Sequence, residues 1–83
     1  MNDPIAARLL DLLSYHAGVA VDLLSLNSRP DDTPGWDSVA NLGLLGAVEE
    51  EFAILFTTAD ALRLRSLGDI ARFVAEHRVS AAR

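Results

Sequence analysis

Apolar residues recur at helical spacing in three stretches of the chain, which indicates helices that each bury one face. The first stretch predicts a helix from about residue 4 to about residue 16. Asp3-Pro4 is suited to begin it, since aspartate caps open amides and proline fits the first helical position, and Gly18 is suited to end it. The apolar stripe consists of Ile5, Leu9, Leu12 and Leu13.

A second helix is predicted over about residues 38 to 53. On a helical wheel its core face is a narrow arc of Leu44, Leu45, Val48 and Phe52. Gly43, Gly46 and Glu50 fall on the other side. A glycine inside a helix costs about 1 kcal/mol relative to alanine. The two glycines therefore indicate either neutral drift at exposed positions or a bare surface that a partner approaches closely.

Two capping patterns predict the remaining helices. The run Thr-Thr-Ala-Asp at 57–60 opens a short third helix that continues through Leu62. The run Ser-Leu-Gly-Asp at 66–69 opens a fourth helix that ends near Arg78, and residues 79–83 should fray. Arg63 and Arg65 are expected on the exposed connection between these two helices.

The helical period is lost between residues 17 and 37, and residues 27–35 have the composition of turns. Such a long connection is unusual and indicates a function or a missed element, such as a short helical turn near residues 22–24. Its apolar residues are candidates to pack on the helices as isolated anchors: Val19, Val21, Leu23, Leu24 and Leu26. No stretch shows strand alternation with hairpin signals.

The predicted fold is therefore all-α. It is a small four-helix bundle of three longer helices and one short one, with a long loop between helices 1 and 2. Residues 1–83 are expected to form one domain, because a chain of this length has no room for a second core.

Composition narrows the classes of function. Twelve acids face seven bases, all arginine, and the net charge of −5 argues against nucleic-acid binding and favours basic protein partners. Cysteine is absent, which excludes disulfides and thiolate catalysis by the chain itself. No apolar run approaches the ~20 residues of a membrane span, and no secretory signal pattern is visible, so a cytoplasmic location is expected.

Ser38 is the candidate functional residue. It follows the turn-rich loop, begins the second helix and has Asp37 beside it. An ordinary N-cap is the commonest use of serine at such a place, and Asp37 can equally be a solvated cap residue. His16 and His77 lie at helix ends as surface or capping residues, away from triad or metal spacing. Trp36 is interpreted as a packing residue that anchors the loop, with a partner contact as the alternative. Ser38 is then either a cap or a point of attachment.

The run Asp37-Ser38-Val39, followed at the observed distance by Glu-Glu-Glu-Phe at 49–52, resembles the acyl carrier protein family. The resemblance extends to residues 57–60 and 66–70. It covers nearly the whole chain: helix, long loop, helix headed by serine, short helix and final helix. An isolated Asp-Ser pair is common by chance, whereas the pair at this place in an acidic chain of this length is specific.

The resemblance implies a cofactor and a set of partners. In that family the matching serine receives a 4′-phosphopantetheine arm from coenzyme A, through a phosphopantetheinyl transferase that uses magnesium. The thiol of the arm then carries acyl groups as thioesters. Ser38 matches the modified serine, Asp37 the acid before it, and Trp36 a companion in some branches. The resemblance thus implies a non-catalytic, monomeric carrier that meets acyl-loading, condensing or acyl-transferring enzymes.

The family docks its partners on the second helix. The candidate docking residues are Val39, Ala40, Asn41, Gly43, Gly46, Glu49 and Glu50. Bacterial fatty-acid carriers usually have further acids in the middle of this helix, and Val39 replaces the commoner leucine. A neutral, bare surface there predicts a dedicated carrier of a specialised pathway, such as polyketide or nonribosomal peptide synthesis. A fatty-acid synthesis carrier and a carrier-like interaction module that is never modified stay open as alternatives.

The apolar faces of the helices should meet inside the bundle. In fatty-acid carriers this interior can open to shelter an acyl chain. The candidate lining residues are Leu45, Val48, Phe52, Leu62 and Ile70. Plain core packing is the simpler interpretation of all five.

Overall fold

The computed structural model describes residues 3–77, and all regular structure in this part of the chain is helical. The helices are α1 (Pro4–Ala17), α2 (Ser38–Phe52), α3 (Thr58–Arg63) and α4 (Leu67–His77). The prediction of three longer helices and one short one is confirmed. The predicted end of the fourth helix near Arg78 and the fraying of residues 79–83 lie outside the described residues. None of the helices described is both long and apolar enough to cross a membrane.

Helix α1 begins and ends at the residues that the sequence indicates. Oδ1 of Asp3 accepts hydrogen bonds from the amides of Ile5 at 3.0 Å and Ala6 at 3.4 Å, which satisfies two of the open amides of the first turn. At the other end Gly18 adopts the left-handed conformation with φ +70°, and its amide donates to the carbonyl oxygen of Ser14. Glycine permits this turn without steric cost.

Helices α3 and α4 begin at the predicted caps. The Thr57 hydroxyl accepts from the amide of Asp60, and the Asp60 carboxylate accepts from the amide of Thr57, both at 3.0 Å. The hydrogen bond from the Thr57 amide lowers the pKa of Asp60, since it stabilises the ionised carboxylate. Asp69 lies in the first turn of α4, and a hydrogen bond from the amide of Arg65 lowers its pKa in the same way.

Helix α1 packs against both α2 and α4, and the core lies where the three helices meet. The largest fully buried side chains come from all three of them: Leu9, Leu13, Leu44, Val48, Leu67, Ile70 and Val74. Arg63 and Arg65 are exposed as expected, but Arg63 is the last residue of α3 and only Arg65 lies on the connection to α4. His77 is also an exposed residue, with its ring stacked on Phe73 and its Nδ1 at 2.9 Å from the carbonyl oxygen of that residue.

An antiparallel row of contacts, the α1–α2 seam, joins α1 to α2. Arg8 and Glu51 form an ion pair at one end, with Nε and Oε2 3.0 Å apart. Leu12 and Ala47 line the same groove one turn further along. His16 closes the other end against Gly43, where a Cβ would stand 2.7 Å from its Nδ1. His16 is therefore a half-buried packing residue, and its prediction as a surface or capping residue was incomplete.

The long connection contains two short 3₁₀ turns, Val21–Leu23 and Pro30–Asp32. The first agrees with the helical turn expected near residues 22–24, whereas the second was not predicted. Of the expected anchors, Leu24 and Leu26 pack against the core, but Val21 and Leu23 are exposed. The turn Val21–Leu23 itself buries none of its residues, and the contact with the core begins at Leu24, directly after it.

The middle of the connection is hydrogen-bonded to the start of α4. The amide of Leu67 donates to the carbonyl oxygen of Ser28 at 3.0 Å, and the amide of Gly68 donates to that of Leu26 at 2.7 Å. Two open amides of the helix start are thereby satisfied by loop carbonyls.

Candidate functional site

Helix α2 is capped by Asp37, one residue before the serine. Oδ1 of Asp37 accepts from the amide of Ala40 at 2.9 Å, and its carbonyl oxygen accepts the first helical bond, from the amide of Asn41 at 2.8 Å. A cap residue needs an extended backbone, and Asp37 has one, with φ −103° and ψ −170°. Ser38 is already the first helical residue. Of the two cap residues that the sequence left open, Asp37 is the one that caps the helix, and Ser38 is not the N-cap.

The Ser38 hydroxyl is exposed, and among residues 3–77 it makes no hydrogen bond. The backbone amides of Ser38 and Val39 precede the first helical bond, and they too find no acceptor in this part of the chain. Unpaired amides at the start of a helix carry partial positive charge, which favours an anion. A nucleophilic oxygen thus stands at the protein surface beside a place where a phosphate is electrostatically favourable.

Gly35 fixes the loop just before the serine. Its φ of +93° is a conformation that residues with side chains rarely adopt, and a Cβ there would collide with the carbonyl oxygen of Ala17. The loop backbone consequently rests directly on the end of α1. This contact sets where α2 begins, and so where Ser38 lies.

Trp36 anchors the loop from the inside. Its side chain is only 4% exposed, its amide donates to the carbonyl oxygen of Thr33, and its indole nitrogen donates to Oδ1 of Asn41 at 3.0 Å. The packing interpretation of Trp36 is supported. Because Asn41 lies in the first turn of α2, the indole bond spans Asp37 and Ser38 and holds the loop to the helix on both sides of them.

A shallow depression, the Ser38 depression, adjoins the hydroxyl and has a volume of about 380 Å³. Its lining residues are Pro30, Asp31, Trp36, Asp37, Ser38 and Asn41. A larger groove of about 720 Å³ lies elsewhere in the connection, between Gly18 and Pro34, and none of residues 36–41 lines it. The depression is the cavity relevant to chemistry at Ser38, since the serine itself forms part of its wall.

The structure divides the candidate docking residues into two groups. Ala40 is only 8% exposed and belongs to the core, so its placement on the docking surface was wrong. Gly43 is half-buried under His16, and Asn41 is half-buried in its bond to Trp36. Val39 is 79% exposed, and Gly46 stands in open space with no atom within 4 Å of a Cβ.

Leu42 is a residue that sequence reasoning missed. Its side chain is 73% exposed on the same side of α2 as Val39 and Gly46. The outer face of α2 is defined here by four exposed residues: Val39, Leu42, Gly46 and Glu50. The surface is therefore more apolar than the neutral, bare one expected. Its signal was present in the sequence, because one face at helical spacing joins residues 39, 42 and 46.

The three consecutive glutamates have different roles. Oε2 of Glu49 accepts a hydrogen bond from the amide of Phe56 at 2.9 Å, which fixes the link between α2 and α3. Glu51 pairs with Arg8 in the α1–α2 seam. Glu50 makes no hydrogen bond or ion pair with the residues that the structure describes. Of the two glutamates expected to dock partners, Glu49 stabilises the fold, and Glu50 is exposed at the edge of the α1–α2 groove, which it lines together with Arg8.

The candidate residues for lining an acyl cavity lie mostly in the core. Leu45, Val48 and Ile70 are buried, and Phe52 is half-buried against them. Leu62 is 75% exposed, so its assignment to the interior was wrong. Helix α3 has only six residues, and Ala61 and Leu64 supply its contacts with the core instead.

The chain was compared with known proteins. No family model matches it. It is similar to the acyl carrier protein of Rickettsia bellii strain RML369-C, with 21% identity over 76 residues that cover 92% of this chain and 88% of the relative. It is also similar to the acyl carrier protein of Rickettsia bellii strain OSU 85-389, with 20% identity over 92% of this chain and 94% of the relative. These similarities support the resemblance to acyl carrier proteins over most of the chain.

Proposed function

We propose that this protein is an acyl carrier that holds acyl groups as thioesters on a 4′-phosphopantetheine arm attached to Ser38. The similarity to acyl carrier proteins supports a carrier role in general. The observation that carries the assignment of Ser38 is local. Asp37 occupies the cap position, which leaves the Ser38 hydroxyl exposed and without a hydrogen bond among the described residues.

The attachment reaction needs only that hydroxyl from this chain. Oγ of Ser38 forms a bond to the phosphorus of the pantetheine phosphate in coenzyme A. The bond from that phosphorus to adenosine 3′,5′-bisphosphate breaks, and the hydroxyl proton passes to a base of the transferase. The transferase would also supply the magnesium ion that neutralises the phosphates.

The start of α2 suits the phosphodiester that results. The amides of Ser38 and Val39 are available to it, and the partial positive charge of the helix start favours its negative charge. The Asp37 carboxylate is an unfavourable neighbour for a phosphate. Its bond to the amide of Ala40 directs it into the helix and offsets part of its charge.

The arm supplies the reactive group that the chain lacks. The sequence contains no cysteine, and the thiol of a phosphopantetheine arm would form the thioesters in its place. The protein would then be a substrate presented to other enzymes and not itself a catalyst. Its partners would be a phosphopantetheinyl transferase and the enzymes that load, condense or transfer acyl groups.

The outer face of α2 favours a specialised pathway. Val39, Leu42 and Gly46 carry no charge, and Glu50 is the acid among the four residues of this face. A partner enzyme would be selected here by the fit of apolar surfaces more than by attraction between opposite charges. The pathway would be polyketide synthesis, nonribosomal peptide synthesis or another acyl-modifying pathway, and a role in general fatty-acid synthesis is the alternative.

Intact mass tests the attachment. Co-expression with a broad phosphopantetheinyl transferase should add one phosphopantetheinyl group to the protein and none to the Ser38→Ala variant. Ser25→Ala, which changes an exposed serine of the long connection, is the matched control and should be modified like the parent protein. No gain of mass with several transferases would contradict the proposal and favour an interaction module that is never modified.

The pathway requires a separate experiment. The modified protein is offered to the enzymes of general fatty-acid elongation, and turnover is compared with that of a fatty-acid carrier. We expect poor turnover, because the outer face lacks the charges that attract those enzymes. Efficient elongation would instead support the fatty-acid alternative and leave the attachment to Ser38 untouched.

A further inference from the structure

We propose that the Ser38 depression binds the part of the pantetheine arm nearest to the phosphate and so holds the arm on one flank of α2. This inference rests on the proposed function, since it needs an arm on Ser38. It adds a binding site on the chain for the first segment of the arm. The residues that would bind it are Pro30, Asp31, Trp36 and Asn41.

The depression offers one hydrogen-bond donor whose orientation is fixed. Oδ1 of Asn41 accepts from the Trp36 indole at 3.0 Å, which identifies the other end of the amide as its NH₂ group. Among the described residues this NH₂ group donates to no acceptor. Because Asn41 is half-buried and bonded to a buried tryptophan, its rotamer is set before any ligand arrives.

The opposite wall offers an acceptor and apolar surface. Asp31 is exposed, and its Oδ1 lies 3.5 Å from Nε of Arg29, which offsets part of the repulsion that a phosphate on Ser38 would feel. Pro30 and the edge of Trp36 supply the apolar part of the lining. Donor, acceptor and apolar wall thus surround one depression beside the serine.

The first segment of the arm has the complementary groups. Its phosphate is followed by a methylene group, a carbon with two methyl groups, a carbon that bears a hydroxyl, and an amide. The methyl groups can pack on Pro30 and Trp36. The arm's hydroxyl can accept from the NH₂ of Asn41 and donate to the carboxylate of Asp31. Each polar group of the depression would then have a partner, and the methyl groups would leave water.

The helix determines the direction of the arm. Successive residues of an α-helix are rotated by about 100°, so Asn41 and Val39 lie on opposite flanks of Ser38. Leu42 falls on the same flank as Val39. An arm held against Asn41 at its root therefore leaves the outer face of α2 uncovered, and a partner enzyme could dock there without displacing it.

NMR of the modified protein tests the inference. Intact mass first establishes that the arm is attached. We then expect nuclear Overhauser contacts from the two methyl groups of the arm to the Trp36 ring and Pro30. The side-chain NH₂ of Asn41 and the amide of Asp31 should shift relative to the unmodified protein. Contacts to Val39 or Leu42 instead, or shifts confined to residues 37–40, would overturn the inference.

Two variants remove one polar group each. Asn41→Asp keeps an acceptor for the Trp36 indole but replaces the NH₂ donor, and Asp31→Ala removes the carboxylate. Each substitution should lower the ratio of bound to free arm about fivefold, which is the effect of losing one hydrogen bond. The nuclear Overhauser contacts from the arm to Trp36 should weaken accordingly. The matched controls are Asn27→Asp and Asp22→Ala, which make the same changes elsewhere in the connection and should leave the contacts unaltered.

The outcomes separate this inference from the proposed function. If no transferase adds an arm, the proposed function fails, and the site for the arm fails with it. If the arm is added but touches neither Trp36 nor Pro30, the carrier function stands and only the inference fails. Equal contacts in all four variants would likewise overturn the roles of Asn41 and Asp31.

Discussion

The two sides of α2 differ in what covers them. On the side towards α1, the helix is covered along the α1–α2 seam. The seam runs from the Arg8–Glu51 ion pair to the contact of His16 with Gly43. Away from α1 the outer face carries exposed Val39 and Leu42, which no residue of the described chain covers. Contiguous apolar patches, unlike single exposed apolar residues, often mark surfaces that bind other proteins. One helix therefore supports the fold with one side and leaves apolar side chains exposed on the other, which is the side proposed to meet partner enzymes.

The two glycines of α2 show the same division. Both were expected on a bare surface, but Gly43 permits the close approach of His16, whereas Gly46 stands in open space. On one side of the helix, glycine is therefore needed for packing, because a larger residue would collide with the neighbouring side chain. On the other side its small size leaves a gap between larger exposed residues.

The largest expected effect is a difference in the free energy of unfolding between variants on the buried side of α2 and variants on its outer face. Leu44→Ala removes a fully buried side chain and should lower the free energy of unfolding by about 2–5 kcal/mol. Leu42→Ala removes an exposed one and should change it by less than about 0.5 kcal/mol. Urea unfolding of both variants measures the difference. Similar losses at the two positions would mean that the outer face is covered by this chain itself.

The next largest effect is expected on the rate at which a transferase attaches the arm, and it tests the role of the outer face. Val39→Ser with Leu42→Ser should slow the transfer of the phosphopantetheine arm about tenfold, which corresponds to about 1.4 kcal/mol of lost interface contact. Val21→Ser with Leu23→Ser changes a matched pair of exposed residues in the long connection and should leave the rate unaltered. The rate is followed by intact mass against time. Equal rates for the two double variants would remove the outer face from the interaction with the transferase.

A smaller effect is expected at the glycines. Gly46→Ala should raise the free energy of unfolding by up to about 1 kcal/mol, since alanine is the better helix former and nothing obstructs its methyl group. Gly43→Ala should gain less, because the His16 ring must move away. In a His16→Ala background the two alanine variants should become equal. A difference that persists there would show that the histidine is not its cause.

The smallest effect concerns the ion pair of the seam. Arg8 and Glu51 are partly exposed, so Arg8→Gln should lower the free energy of unfolding only slightly, and less still in 1 M salt. Arg63→Gln, at an exposed residue without an ion pair in the described chain, is the control. A loss at Arg8 as large as that of Leu44→Ala would contradict the view that buried apolar contacts stabilise the seam.

The helix boundaries could be predicted because capping is local. A side chain and an amide three residues apart along the chain meet without help from the rest of the molecule, as Thr57 and Asp60 do. The start of α2 at Ser38 was predicted correctly, but the sequence left the cap residue open because Asp37 and Ser38 are both good caps. The choice between them depends on the contact of Gly35 with Ala17, which joins distant parts of the chain.

The surface of α2 was harder to predict for the same reason. Ala40 is small and tolerates either environment, and its burial follows from its position one turn before Leu44, on the side that meets other helices. Leu42 is apolar, and apolar residues are assigned to the interior by default. Helical spacing joins residues 39, 42 and 46 on one face of α2, and the packing of α1 and α4 shows that this face is left open.

The fastening of the long connection to α4 has a consequence for protein engineering. Leu26 and Ser28 give their carbonyl oxygens to the first amides of α4, and Gly35 rests on Ala17. The stretch between residues 26 and 35 is thus fixed at both ends. The preceding 3₁₀ turn, Val21–Leu23, exposes all three of its residues. A fluorophore or an inserted peptide therefore belongs near Asp22, where extra length can loop into solvent without shifting the serine.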